Sequence, residues 1–150
     1  MILIVGYNSY ITVSEADELL QGDVLYEKFS AMTTEQKEKL LTDAAMRIDA
    51  LPLSGRKKSV MQYMEFPRSY QDEVPYQVKS AQASEAVSVL DTESESRRLM
   101  QEQGVTSVTL GKVSESYGSG TTGAEKYKGL HSAAAFALLR RYISGSFPIV

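Results

Sequence analysis

The chain has 150 residues, 43% of them hydrophobic and 23% charged, a balance that fits one globular domain over 1–150 and excludes wholesale disorder. With no cysteine and one histidine, disulfides, thiolate nucleophiles, iron–sulfur clusters and thiolate zinc sites are excluded, and any metal site falls almost entirely to oxygen ligands. A net charge of −3 and a pI near 5.2 argue against a protein whose main task is gripping a nucleic-acid backbone, although a local basic patch fits inside an acidic total.

Residues 1–5 are apolar, too short to cross a bilayer and not preceded by a basic start, so the chain reads as soluble and unexported. Residues 2–5 read as a short β segment in an N-terminal arm, 1–9. Ser14, with Val13 before it and Asp17 three residues on, reads as the N-cap of a short helix over 15–21 that ends near Gly22. The clearest helix follows. Thr33 or Thr34 caps it, Glu35 sits in its first turn, and Leu40, Leu41, Ala44, Ala45, Ile48 and Leu51 fall at helical spacing. Pro52 stops it, and 53–58 reads as an exposed loop. Residues 59–64 are ambiguous, and Phe66 is extended because the residue before a proline avoids the α region.

Pro75 fits the first position of a third helix through Val78, Ala81, Val89 and Leu90, with a weaker continuation to Gly104. Residues 105–117 change to a period of two and are rich in β-branched side chains, which reads as one long strand or a hairpin. Residues 118–123 form a flexible loop. A last helix over 130–143 ends in Arg140 and Arg141, which suit its negative end. An extended tail, 144–150, carries Phe147, Ile149 and Val150. The fold class is therefore mainly α: a small helical bundle with a β-strand or hairpin extension (105–123) and an extended C-terminal tail.

Catalytic and cofactor motifs fail on context. Gly118, Gly120 and Gly123 match G-x-G-x-x-G, but too little chain follows for a returning strand, and no acid stands where a ribose partner belongs. Asp91, Glu93, Glu95 and Glu102 echo a calcium loop, yet Ser96 stands where that loop needs glycine. His131 has Ser132 beside it, but neighbours on a helix point apart and no carboxylate is placed to orient the imidazole. No enzyme activity, metal or cofactor is expected. Arg56, Lys57 and Lys58 form a basic cluster with Tyr63, Phe66 and Arg68 downstream, a pairing that suits single-stranded nucleic acid. Nine tyrosines without a tryptophan, together with the apolar tail, also suit protein interfaces.

Taken in order, several segments resemble a family of tailed-phage head–tail connectors, also called head-completion or adaptor proteins, some relatives of which are labelled "putative DnaT-like single-stranded DNA-binding". Tyr10, Thr12, Glu15, Ala16 and Asp17 resemble an opening Y-x-[ST]-x-x-E-A-D; Lys37, Ala44, Ile48 and Asp49 resemble K-x-x-x-L-x-x-A-T-x-x-I-D. Gly55 and Arg56, Gln62, then Phe66, Pro67 and Arg68 resemble G-R … Q … W-P-R, with Phe66 in the tryptophan's place. Pro75, Val78, Lys79 and Ala81 resemble I-P-x-x-V-K-x-A, and Gly111, Val113, Ser114 and Tyr117 resemble K-x-G-x-[LV]-S-x-x-Y. The resemblance covers 10–142 and implies a structural virion protein at the neck, assembled in the host cytoplasm. It implies a dodecameric ring of neighbouring copies between portal protein and a tail or stopper protein, with genomic DNA in the lumen and no membrane partner. On that reading Arg140, Arg141, Tyr142, Phe147, Ile149 and Val150 meet the portal. Val105, Val108, Leu110, Val113 and Tyr117 meet a neighbouring subunit or the tail. The alternative is a single-stranded DNA-binding protein whose DNA-facing residues are Arg56, Lys57, Lys58 and Arg68.

Overall fold

A computed structural model describes residues 2–91 and 127–144. Five α-helices run through them, Val13–Leu19 (α1), Tyr26–Ser30 (α2), Thr34–Asp49 (α3), Tyr76–Ser88 (α4) and Ala133–Leu139 (α5), followed by a 3-10 turn, Arg140–Tyr142. The mainly α class is what the chain adopts. Among the described residues β pairing is confined to isolated bridges, Val5 with Ser9, Leu53 with Ile143 and Lys57 with Arg68. The expected strand at 2–5 does not form: residues 2–4 carry no regular structure, and Val5 makes only its bridge across a turn at 6–8, in which the Tyr7 and Asn8 N–H groups donate to the Ile4 carbonyl, both at 3.0 Å. The β extension at 105–123 and the tail at 145–150 lie outside the described residues.

Capping explains the helix boundaries. α1 begins at Val13 and not after Ser14 because Thr12 closes a reciprocal box with Glu15: the Thr12 hydroxyl accepts from the Glu15 N–H at 3.1 Å, and the Glu15 carboxylate accepts from the Thr12 N–H at 3.0 Å. Thr33 and Gln36 build the same box at α3. Pro75 is the residue just before α4, with ψ 152, and its ring has no N–H to leave unpaired. Ser132 caps α5 by accepting from the Ala135 N–H at 3.0 Å, so the last helix starts three residues later than expected and tightens into the 3-10 turn. α2 has no side-chain cap; burial of Phe29 holds it, an effect of about 1.5–3 kcal/mol.

α3 and α4 form the spine. On one side Leu41, Ala44, Ala83, Ala86 and Val87 pack with Ile11 before α1, Ala16 in α1, Leu20 at its C-cap and Phe29 in α2. On the other, Ala45, Ile48, Val78 and Ala81 pack with Leu130, Ala135, Leu139, Tyr142, Met64 and Phe66. α4 is buried on nearly every face, which its three buried alanines permit by letting neighbouring backbones approach. Two of its buried side chains are polar. Gln82 accepts from the Tyr10 N–H at 2.9 Å and donates to the Ser9 hydroxyl at 2.8 Å and the Leu41 carbonyl at 2.9 Å, which pins the arm to the spine. Glu85 accepts from the Arg47 Nε at 2.6 Å and from the backbone N–H groups of His131 and Ser132, each at 2.9 Å. Replacing Gln82 by leucine should lower unfolding free energy by about 1–3 kcal/mol, because the Tyr10 N–H is left buried without an acceptor; urea denaturation would measure it.

Candidate functional site

Past α3 the chain packs against the residues that follow α5. The Ser54 N–H donates to the Tyr142 carbonyl at 2.7 Å and the Ser144 N–H to the Pro52 carbonyl at 2.8 Å, fixing the loop against the 3-10 turn. Gly55 has φ +74 and a Cβ there would sit 3.1 Å from the Tyr70 ring, so this turn calls for glycine. The basic triplet then runs extended and antiparallel to 67–69: Lys58 N–H donates to the Pro67 carbonyl at 3.0 Å and Ser69 N–H to the Arg56 carbonyl at 2.7 Å. The Phe66–Pro67 peptide bond is cis.

Alternation along this extended segment splits the triplet. Arg56 and Lys58 are exposed, and among the described residues no ion pair or hydrogen bond engages either side chain. Lys57, between them, is half-buried; its ammonium reaches the Gln62 carbonyl at 3.4 Å and Glu65 at 4.0 Å. Arg68, directly across from Lys57, is only 3% exposed. Its guanidinium donates to the carbonyls of Ser54 (3.1 Å), Gly55 (2.7 Å) and Glu65 (3.0 Å) and to the Glu65 carboxylate at 2.8 Å.

The expected DNA-facing role of Arg68 is therefore corrected: it holds the loop from inside. Lysine cannot reproduce that fork. Arg68→Lys should lower stability by about 1–3 kcal/mol and weaken any ligand held by the loop although charge is conserved; paired denaturation and binding titrations would check both.

Phe66 is likewise interior, edge-to-face with Tyr10 at 5.8 Å and Tyr142 at 5.4 Å. The Tyr10 hydroxyl donates to Asp49 and accepts from the Phe66 N–H at 3.2 Å, while the Glu65 N–H donates to the same carboxylate at 3.3 Å. Burial, then the Asp49 charge, push the Tyr10 phenol upward. Burial also lifts the Asp49 carboxyl, against the pull of its two donors. These groups join the arm, α3 and the loop into one support.

The aromatic surface of the loop comes from residues that sequence spacing did not single out together. Tyr63 and Tyr70 are 74% and 55% exposed, and Tyr70 lies against Gly55 with its hydroxyl 3.1 Å from that of Ser54. Tyr7, from the N-terminal arm, meets Tyr63 edge-to-face at 4.9 Å. Val60 and Met61 are exposed beside them in sequence.

The other expected sites disperse. Tyr142 is 8% exposed and packed on Phe66, so it presents no portal surface, whereas Arg140 and Arg141 are exposed on the 3-10 turn. Phe147, Ile149 and Val150, the residues Val105, Val108, Leu110, Val113 and Tyr117, the glycine motif and all of the calcium-like loop but Asp91 lie outside the described residues. His131 lines an open cleft of about 320 Å³ together with Asp23, Ser84, Ser88, Asp91 and Tyr127.

Comparison with known proteins corrects the functional reading. No curated protein and no solved structure matches the chain. A family model described as "Putative DnaT-like ssDNA binding protein" matches residues 3–149. That description favours the alternative over the head–tail adaptor, and it overturns the portal, ring, stopper and neck assignments that went with the adaptor. With the match running over nearly the whole chain, this protein belongs to the DnaT-like single-stranded-DNA-binding family so described.

Proposed function

We propose that the protein binds single-stranded DNA, without acting on it chemically, through the loop that carries Arg56, Lys57 and Lys58. The observation that supports this most is the pair of exposed cations Arg56 and Lys58, uncommitted among the described residues, on a loop braced from inside by Arg68 and carrying the exposed ring of Tyr63, with that of Tyr70 against Gly55. Cations neutralise phosphates and release their counterions, while rings stack on unpaired bases; the combination tracks a strand with little regard to sequence. Arg140 and Arg141 stand next to Tyr142, whose carbonyl the loop is bonded to, and add positive charge to that end of the molecule. The family description supports the same ligand.

A duplex hides its base faces, so the reading predicts preference for single strands. Anisotropy titrations of a labelled oligonucleotide, alone and annealed to its complement, at low salt should show tighter binding to the single strand. Equal affinity for both forms, or no binding to either, would contradict the proposal.

A further inference from the structure

The arm and the loop meet at one point on the surface, the Tyr7–Tyr63 contact, with centroids 4.9 Å apart and planes at 78°. A perpendicular pair covers one of its four ring faces. Tyr7 is 53% and Tyr63 74% exposed, so most of both side chains faces solvent. Both positions are held in place by their backbones. Around Tyr7, the Gly6 N–H donates to the Ser9 carbonyl at 2.8 Å and the Asn8 side chain accepts from the Ile4 N–H at 2.7 Å. Before Tyr63, the Gln62 amide accepts from the Ser59 N–H at 3.0 Å and donates to the Met64 and Pro67 carbonyls at 2.9 and 3.0 Å. The ammonium of Lys57 lies 3.4 Å from the Gln62 carbonyl, one residue from the Tyr63 ring.

Resting on the single-strand-binding reading, we propose that the corner between the Tyr7 and Tyr63 rings is a nucleobase subsite, which makes the N-terminal arm part of the binding surface. An unpaired base stacks on one ring and meets the edge of the other. Charge complementarity selects this occupant. A nucleic-acid strand brings an anion with every base, so with a base on the rings its backbone meets the exposed Arg56 and Lys58 of the same loop, whereas an apolar protein surface would offer those two cations no anion. Every base has a π face, so the subsite distinguishes unpaired from paired bases and is indifferent to base identity.

The test uses the full chain with two fluorescent oligonucleotides of equal length, oligo-dT and one carrying a run of abasic residues. Wild type should bind the abasic strand about tenfold or more weakly. Tyr7→Ala and Tyr63→Ala should each weaken oligo-dT binding by about the same factor, leave the salt dependence unchanged and abolish the discrimination against the abasic strand. Tyr7→Phe and Tyr63→Phe should restore both affinity and discrimination. If wild type binds oligo-dT, loses affinity on Arg56→Gln and Lys58→Gln, and yet treats the abasic strand as its equal, the subsite is wrong and the single-strand reading stands. If wild type binds no oligonucleotide, both fall. If Tyr7→Ala changes the oligomeric state while oligo-dT affinity is unchanged, the corner is a contact between copies of the chain, and the proposal is overturned.

Discussion

Replacing Glu85 by alanine is expected to remove about 3–5 kcal/mol of stability, the largest loss anticipated for a single side chain in this protein. The carboxylate is fully buried and satisfies three donors at once: the Arg47 guanidinium and the backbone N–H groups of His131 and Ser132. Its negative charge lies just before α5, where the first N–H groups of a helix lack intrahelical partners and the dipole favours an anion. Truncation leaves Arg47, its side chain 18% exposed, with Asp43 alone as a counter-charge among the described residues and strands two backbone donors. Because α5 carries Ala135 and Leu139 into the same core as Phe66, the damage reaches the support of the basic loop. Urea denaturation should show a lower midpoint with an unchanged slope. Glu85→Gln keeps the shape and one acceptor oxygen, so a loss of about 1–3 kcal/mol is expected there. A loss below about 1 kcal/mol for the alanine variant would mean that Glu85 is not what joins α4 to α5.

Converting Arg56, Lys57 and Lys58 together to glutamine should have the largest effect on binding. For single strands the slope of log K against log salt is about −0.7 per phosphate neutralised, so losing two or three contacts should flatten it by about 1.4–2. The same figure means that wild type loses roughly tenfold more affinity than the variant between 50 and 200 mM salt. Arg56 and Lys58 should account for most of this, since Lys57 already faces Glu65 and the Gln62 carbonyl. Arg68→Lys should behave differently, weakening binding with the salt slope retained, because its guanidinium is buried against carbonyls. Titrations of one oligonucleotide across a salt series separate the two behaviours, and an unchanged slope in the triple variant would exclude the loop as the phosphate-contacting surface. The triplet's own backbone pairs with 67–69, so glutamine substitution leaves those hydrogen bonds in place.

Local rules made part of this fold legible. The apolar spacing of α3, its threonine cap and the proline before α4 all act over a few residues, and the observed helices follow them. α1 shifted because two oxygen-bearing caps, Thr12 and Ser14, compete, and only Thr12 has a glutamate three residues on. α2 gave no signal: its five residues lack a side-chain cap, and Phe29 is held by residues distant in sequence. The buried roles of Gln82 and Glu85 were hidden for the same reason, since their partners come from the arm, α3 and the start of α5. At the site, composition revealed the basic triplet but not its alternation, which turns Lys57 inward, nor the burial of Arg68. Arg68 and Glu65 three residues before it were both visible, yet nothing local says that the guanidinium also collects the carbonyls of Ser54 and Gly55. Tyr7 was unreachable by spacing, because only folding brings the arm beside Tyr63. The ordered segments resemble the DnaT-like family that matches the chain, but nothing in their residues distinguishes a DNA-binding role from an adaptor role.

The most direct test of the account is an NMR titration of isotopically labelled protein with oligo-dT at low salt, following every backbone amide. The account predicts shifts gathered on Gly55, Arg56, Lys58, Tyr63 and Tyr70, with Tyr7 moving alongside them, and little change in α1 and α2. Shifts confined to α1 and α2, or none at saturating oligonucleotide, would contradict it.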